Sequence, residues 1–387
     1  MDVLELTQQL VRFPSVTPDD AGIHDLLTTV LADAGFVATH LDAEGVRNVW
    51  LAHGTGHPVV ACVCHCDVVP PGPADAWLRE PFSGETDGEF IHGRGSADMK
   101  GGLAAAVLAL LQIAHDWPDH PGTLALLCTS DEEGVGRYGV RHALTGLPVA
   151  RIDAALVTEP TSEVRFGDAY KVGRRGSVSF TAAISGVQGH VAYPQFARNA
   201  AHAAAQLVTA LTAETWDSGD DLFPATGLQI TRLVADSGAG NVIPGSAELR
   251  GNFRYAPCLT AAEIEARCRA LADSVGAEAA WTFTHGAEPF VTHTPAIRAW
   301  IADAIFAETG IVPTATVSGG TSDARFLAAH HVPVVEFGAL NATIHAANER
   351  TEVANLPPLQ AIYARFLRRA LTELACADLA NAARDGS

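Results

Sequence analysis

The sequence predicts an α/β protein in which a mostly parallel sheet is interrupted by a second, smaller domain. In the first half of the chain, short strands alternate with helices, and runs such as the one at 123–128 are apolar throughout, as in strands covered on both faces. Over 176–288 the order changes to β-α-β-β-α-β, the split βαβ or ferredoxin-like arrangement. We therefore expect one domain over 1–175 and 289–387, with 176–288 inserted into it.

Individual elements follow from periodicity, caps and breakers. Before the insertion we predict strands at 47–52, 58–65, 123–128 and 154–158, and helices near 2–12, 21–34, 101–115 and 136–145. In the insertion we predict strands at 177–185, 228–235, 246–255 and 278–285. We also predict two helices there, one at 198–214 and one that begins at a Thr260/Glu263 capping box and ends at about 275. After it we predict a helix from Pro295 to Gly310, strands at 312–317 and 332–338, and a helix at 356–374 followed by a frayed tail.

Composition argues against several classes of partner. The chain has 25 Lys and Arg against 44 Asp and Glu, a net charge of −19, so it offers no basic field to nucleic acid or to an anionic membrane. The first residues lack the basic and continuous apolar segments of a signal peptide. The longest apolar run, Leu103 to Leu111, is far shorter than the roughly 20 residues that span a bilayer. We expect a cytoplasmic protein.

The seven cysteines follow no framework spacing, and we interpret them as reduced thiols. A zinc site on Cys62, Cys64 and Cys66 is the alternative. Their spacing of two residues is more typical of one face of a buried strand.

Carboxylate and imidazole residues occur in five segments at or just after predicted strands or at a helix start. Ligands of α/β sheets bind beyond the carboxyl ends of the strands, so we expect these side chains to meet there. Together they have the ligand chemistry of a paired zinc site. The residues are His65 and Asp67 in VCHCD, Asp98 in GRGSADMKGG, Glu132 and Glu133 in TSDEEG, Glu159 in VTEP and His345 in NATIH.

Each segment alone has a simpler structural interpretation. His65 and Asp67 are compatible with a satisfied polar pair, Asp98 with a helix N-cap, and residues 131–133 with a solvated acidic loop. The glycines around Asp98 match neither the dinucleotide fingerprint nor the phosphate-loop pattern. Only the combination favours a metal centre.

These motifs, in this order along nearly the whole chain, resemble the di-zinc aminoacylase and carboxypeptidase superfamily. GRRGS, GVQGHVAYP and NATIH make the chain similar to its bacterial succinyl-diaminopimelate desuccinylases in particular. The resemblance implies two zinc ions, with cobalt as a possible substitute for one. It places His65, Asp98 and Glu159 on one ion, and Asp98, Glu133 and His345 on the other.

The resemblance also implies a mechanism, in which a zinc-activated hydroxide attacks an amide and Glu132 is the general base. Asp67 would orient a ligand histidine, and the Asp98–Met99 peptide would be cis. His190 would stabilise the oxyanion from the partner subunit of a homodimer formed by the inserted domain.

The implied reaction converts N-succinyl-LL-2,6-diaminopimelate to succinate and LL-2,6-diaminopimelate, in lysine and diaminopimelate biosynthesis. A substrate with several carboxylates needs cations and amides, and Gly320 and Thr321 would open a helix whose amides bind an anion. The predicted substrate-binding residues are Lys171, Arg174, Ser177, Tyr193, Asn241, Arg254, Gly320, Thr321 and Asn341. We expect Arg175 to point away.

Two alternatives remain open. A sister deacylase such as acetylornithine deacetylase would share every metal ligand. A catalytically inactive metal-binding or scaffold protein is the other, although such a protein need not keep Glu132.

Overall fold

The computed structural model describes residues 1–385 and divides the chain into two compact units. The first unit comprises residues 1–173, 292–316 and the described residues from 322 onward. The second unit comprises residues 174–291 together with 317–321, a stretch that the sequence predicts to lie in the other domain. The catalytic and dimerisation roles expected of the two domains stay predictions.

Helices and strands alternate along much of the chain. The first segment contains α1 (Val3–Val11), α2 (Ile23–Ala32), β1 (Val37–His40), β2 (Asn48–Gly54), β3 (Val59–His65), β4 (Phe90–His92), α3 (Gly101–Asp116), β5 (Thr123–Thr129), α4 (Val140–Ala143), β6 (Ala154–Val157) and β7 (Ala169–Lys171). Next come β8 (Gly173–Arg174), β9 (Gly176–Ser185), β10 (Gly189–His190), α5 (Ala200–Ala213), β11 (Gly227–Val234), β12 (Val242–Ile243), β13 (Ser246–Tyr255), α6 (Ala261–Ser274), β14 (Ala279–Ala287) and β15 (Phe290–Val291). The last are α7 (Pro295–Thr309), β16 (Thr314–Thr316), α8 (Ala324–Ala329), β17 (Val334–Glu336), β18 (Arg350–Glu352) and α9 (Leu356–Asp385).

The first unit is built on an eight-stranded sheet in the order β1-β2-β5-β3-β6-β17-β7-β16. Its centre, β5-β3-β6-β17, is parallel, while β1, β2 and β7 add antiparallel pairs. Every residue of β3 and β5 is buried, which explains their unbroken apolar sequences. The mixed, mostly parallel sheet confirms the predicted fold class, and it brings the carboxyl ends of β3, β5 and β6 to one edge.

The second unit contains a four-stranded antiparallel sheet in the order β11-β13-β9-β14. Alternate residues of the inner strands are buried, and the buried side chains pack against α5 and α6. The predicted β-α-β-β-α-β order is therefore confirmed. A short antiparallel pair, β10 with β12, lies outside this sheet.

Three predicted helices differ from the structure. The helix expected at 136–145 is reduced to α4, because the carboxylate of Asp131 accepts the backbone N–H groups of Val135, Arg137 and Tyr138 and holds the preceding residues in turns. The helix expected to open at Gly320 begins only at Ala324 and is one and a half turns long. The last helix is longer than predicted and continues to Asp385. Its residues 376–385 are rich in alanine and contain no proline or glycine, so the expected fraying is wrong for this stretch.

The stretch Ser96–Asp116, which includes α3, is long and apolar enough to cross a membrane by length and composition alone. Most of it is buried inside the first unit. There α3 packs against α1 and α9.

Candidate metal centre

Three of the predicted ligands meet at the carboxyl edge of the parallel strands. His65 ends β3, Glu159 follows β6, and Asp98 lies on the loop that precedes α3. The Nε2 atom of His65 lies 3.2 Å from Oδ1 of Asp98 and 3.6 Å from Oε1 of Glu159. All three residues are buried, and their donor atoms lie within 4.8 Å of one another. We call this set the inner group.

A second set of ligand atoms shares Asp98 with the inner group. The Nε2 atom of His345 lies 3.0 Å from Oε1 of Glu133 and 3.4 Å from Oδ2 of Asp98. These donor atoms also lie within 4.8 Å of one another. We call Asp98, Glu133 and His345 the outer group, because the side chain of His345 is 51% exposed. The two oxygens of Asp98 thus face different groups, as a bridging carboxylate requires.

The donor set fits a pair of divalent ions. Each group offers one imidazole and two carboxylates, a combination that suits zinc. Burial disfavours the charged form of Asp98, but hydrogen bonds from His345 and His65 outweigh it and lower the pKa of its carboxyl. Hydrogen bonds to Asp98 and Glu133 raise the pKa of His345 to about 10. Both groups therefore favour positive charge.

The loop that carries Asp98 is held close to the end of β6. The Asp98–Met99 peptide bond is cis, as the resemblance implied. A side chain at Gly102 would place its Cβ 2.5 Å from the carbonyl oxygen of Thr158, so only glycine allows this approach. The last glycine of GRGSADMKGG, Gly102, is thus explained by its packing against Thr158, the residue before Glu159.

Glu349 is a residue of the site that the sequence analysis missed. Its buried carboxylate accepts the backbone N–H groups of Ala97 (3.0 Å) and Asp98 (3.1 Å) on Oε1, and that of Gly95 (3.0 Å) on Oε2. Arg94 donates to the same Oε2 at 2.6 Å. Glu349 therefore fixes the backbone that presents the shared ligand. Its only sequence signal is its position four residues after His345, in the same loop.

Asp67 orients His65 differently from the prediction. The Nδ1 atom of His65 lies 2.9 Å from the main-chain oxygen of Asp67 and 3.7 Å from its carboxylate. The carboxylate instead accepts the backbone N–H groups of Glu132 (3.4 Å) and Glu133 (3.1 Å). Burial raises the pKa of Asp67 to about 7. One residue thus fixes both the imidazole ring and the acidic loop.

The carboxyl group of Glu132 interacts electrostatically with His65, Glu133 and Asp98. Burial raises the pKa of Glu132 well above its usual value, and the negative charges of Asp323 and Glu133 add to the rise. Asp323 is itself a buried residue that the sequence analysis did not select, and burial raises its pKa to about 6. A carboxyl group with a raised pKa next to candidate metal ligands suits proton transfer.

Three predicted residues come together in the second unit. His190 pairs with Val242 between β10 and β12, and the backbone N–H of Val191 donates to the oxygen of Asn241 at 3.1 Å. The ring of Tyr193 lies 5.8 Å from that of His190. His190, Tyr193 and Asn241 are all exposed.

The predicted carboxylate-binding residues of the second unit lie on strands β8, β9 and β13. Arg254 lies opposite Ser177 in the β13–β9 register, and Asn252, also missed, donates to the hydroxyl of Ser177 at 3.2 Å. Burial lowers the pKa of Arg254, and the positive charge of Arg175 adds to this lowering. Arg174 is buried, and its Nη1 donates to the main-chain oxygens of Ser318 (3.2 Å) and Gly320 (3.3 Å); Thr321 follows in the same segment.

Two predicted substrate residues lie in the first unit. The ammonium group of Lys171 is buried and lies 3.0 Å from Glu163 and 2.9 Å from the hydroxyl of Thr316. Asn341 is fixed through its backbone N–H, which donates to the oxygen of Ser162 at 3.0 Å, in the loop that leads to His345.

Residues 61–369 match the family model of Peptidase family M20/M25/M40. The chain belongs to this family. It is 45% identical over 370 residues to the succinyl-diaminopimelate desuccinylase of Halorhodospira halophila, a match that covers 95% of this chain and 98% of the relative.

Solved structures of family members share the fold. A metallo-carboxypeptidase of the M20 family from Sulfolobus solfataricus aligns with a TM-score of 0.78 at 16% identity, covering 96% of this chain and 100% of that one. A dinuclear metal-binding M20 peptidase from Bacillus subtilis aligns with a TM-score of 0.71 at 16% identity, covering 96% and 98%. The protein is therefore a hydrolase with an M20 peptidase fold.

Proposed function

We propose that this protein hydrolyses N-succinyl-LL-2,6-diaminopimelate to succinate and LL-2,6-diaminopimelate, a step in diaminopimelate and lysine biosynthesis. Support comes from the near full-length similarity to relatives of that name. The observation that carries the chemistry is that Asp98 is shared by the inner and outer groups. Glu132 interacts electrostatically with residues of both groups.

The inner and outer groups would hold two zinc ions, with cobalt as a substitute at one position. When bound, the two ions supply a hydroxide at neutral pH and polarise the amide carbonyl. Glu132 takes the proton from the attacking water and passes it to the leaving amine, for which its raised pKa is suitable. His190 donates a hydrogen bond to the developing oxyanion.

The carboxylates of the substrate would be bound by the arginines of the second unit. Arg254 and Arg174 can each form two parallel hydrogen bonds with a carboxylate, and Ser177 lies beside Arg254 in the sheet. Tyr193, Asn241, Gly320, Thr321 and Asn341 complete the proposed set. Lys171 is its weakest member, because Glu163 and Thr316 already contact its ammonium group.

We also propose that the protein is a cytoplasmic homodimer that pairs through the second unit. This unit exposes large apolar side chains, among them Val187, Val191, Phe196, Leu233 and Val234. Strand β11, which carries two of them, lies at the edge of its sheet. An exposed apolar edge favours pairing with a second copy. The partner subunit would then supply His190. Light scattering that gives the mass of a monomer at micromolar concentration would contradict this arrangement.

Two measurements on the same preparation test the reaction. The first is hydrolysis of N-succinyl-LL-2,6-diaminopimelate compared with N-acetylornithine at equal concentrations; the proposal requires a higher kcat/KM for the succinyl substrate. The second is metal content after zinc loading and desalting, with two zinc ions per chain expected in the inner and outer groups together. A preference for N-acetylornithine would assign the protein to the sister deacylase, and absence of bound metal would exclude the mechanism.

A further inference from the structure

A cluster of two thiols and one imidazole lies in the first unit, in addition to the inner and outer groups. Cys66 follows the end of β3, Cys128 lies on the neighbouring strand β5, and His24 lies on α2. All three side chains are fully buried. Their ligand atoms, two Sγ and one imidazole nitrogen, lie within 4.8 Å of one another. All seven cysteines, each within residues 1–385, are free thiols.

The distance between Cys66 and His24 matches that of two ligands around one ion. The Sγ atom of Cys66 lies 3.4 Å from Nε2 of His24. With Zn–S of about 2.3 Å and Zn–N of about 2.0–2.1 Å, two ligands at a tetrahedral angle are separated by roughly 3.6 Å. No large movement of either side chain is needed to bring both onto a zinc ion.

We propose that Cys66, Cys128 and His24 form a third metal site, which binds one thiophilic divalent ion such as Zn²⁺. Thiolates and imidazole are the ligands that soft and borderline ions prefer. Two thiolates neutralise a divalent charge, so the complex can be buried at a smaller cost than a bare ion. The site is independent of the proposed reaction and uses none of the residues assigned to it.

The surroundings hold the ligands in place. The backbone N–H of Cys66 donates to the oxygen of Thr129, and its carbonyl accepts the hydroxyl of Ser15. On the far side of His24, the carboxylate of Asp20 lies 3.5 Å from Nδ1 and is itself paired with Arg47 at 3.2 Å. Metal-bound histidines usually donate their second ring N–H to a carboxylate, and Asp20 is close to this nitrogen although it forms no hydrogen bond with it in the structure.

Co²⁺ is the probe that separates this site from the dinuclear centre. Thiolate ligands give cobalt an intense near-ultraviolet charge-transfer band, whereas the inner and outer groups contain only oxygen and nitrogen donors. The full-length, metal-free protein is titrated with Co²⁺, both in the native state and during refolding, since the cluster is buried. We expect the band to develop and three equivalents to be retained by equilibrium dialysis.

Variants assign the band to its ligands. Cys66→Ala and Cys128→Ala should each lose the charge-transfer band and one of three equivalents, and His24→Gln should weaken both. Cys62→Ala, a buried thiol of β3 outside the cluster, is the matched control and should keep them. Absence of the band from the unmodified protein at saturating Co²⁺ would overturn the proposal, even if a variant failed to fold. So would a band that survives in both cysteine variants. If instead the inner and outer groups did not bind metal, fewer equivalents of Co²⁺ would be retained and the charge-transfer band would remain.

Discussion

The inner and outer groups use similar ligands in different surroundings. In the inner group His65 is 2% exposed and both carboxylates are buried. In the outer group the side chain of His345 is half exposed and comes from a loop. Asp98 belongs to both. The difference indicates that one position is enclosed by the sheet and helices, whereas the other is open to solvent and to small molecules.

The largest effect is expected from Asp98→Ala, because this change removes a ligand from both groups at once. We expect the ions of the inner and outer groups to be lost and hydrolysis to fall below detection. Metal content after desalting and the rate on the succinyl substrate measure the two effects. Asp75→Ala, at an exposed position of the same unit, is the control. If Asp98→Ala kept an ion in both the inner and the outer group, Asp98 would not be a shared ligand and the comparison of the two groups would be wrong.

The next largest effect is expected from variants of two neighbouring glutamates. These variants separate the loss of turnover from the loss of bound metal. Glu132→Gln should lower kcat by about 10²–10⁴-fold while both ions stay bound, because the variant cannot accept a proton. Glu133→Gln should lose one ion, that of the outer group. Metal analysis and kcat are measured on both variants. Glu132→Gln with full turnover and two ions would move the general base elsewhere.

Glu349→Gln should weaken metal binding by about 10–100-fold, the usual range for residues that support ligands. The amide has one acceptor oxygen where the carboxylate accepts three backbone N–H groups and Arg94, so the loop around Asp98 would loosen. Competition with a chelator measures the affinity. Glu352→Gln, on β18, is the control. Unchanged affinity in Glu349→Gln would show that the loop holds Asp98 without it.

The smallest effect is kinetic. When a chelator is added in excess, we expect the inner and outer groups to release their metal in two phases, the faster from the outer group. Glu133→Gln should lose the fast phase and keep the slow one. Release in a single phase from the unmodified protein would mean that the exposure of His345 does not govern exchange.

Much of the fold could be predicted because local patterns are sufficient for it. The buried strands β3 and β5 are apolar without interruption, and the Thr260/Glu263 capping box starts α6 as expected. Strand order was not predictable, since the antiparallel addition of β2 to β5 depends on pairing over a long sequence separation. The absence of the predicted helical residues before α4 also depends on tertiary context, because the carboxylate of Asp131 accepts backbone N–H groups of that segment.

The candidate ligands could be selected from sequence because a strand end, a motif or a family resemblance marked each of them. Glu349 and Asp323 had no such mark. The cluster of His24, Cys66 and Cys128 was missed because its members are 42 and 62 residues apart, and each alone looks like a buried structural residue. From the sequence, the cysteines were interpreted as reduced thiols, and a zinc site on Cys62, Cys64 and Cys66 was only the alternative. In the structure, the cluster combines the residue after β3 with one residue of β5 and one of α2.

The sequence by itself determined which groups can bind metal, which segments form the buried strands and which family the chain resembles, because these depend on residue type and short-range periodicity. Tertiary structure alone decided which oxygen of Asp98 faces which histidine, that a main-chain carbonyl orients His65, and that two thiols meet an imidazole. Such contacts join residues far apart in the chain, and only the packing of strands, helices and loops sets distances of a few ångströms between them.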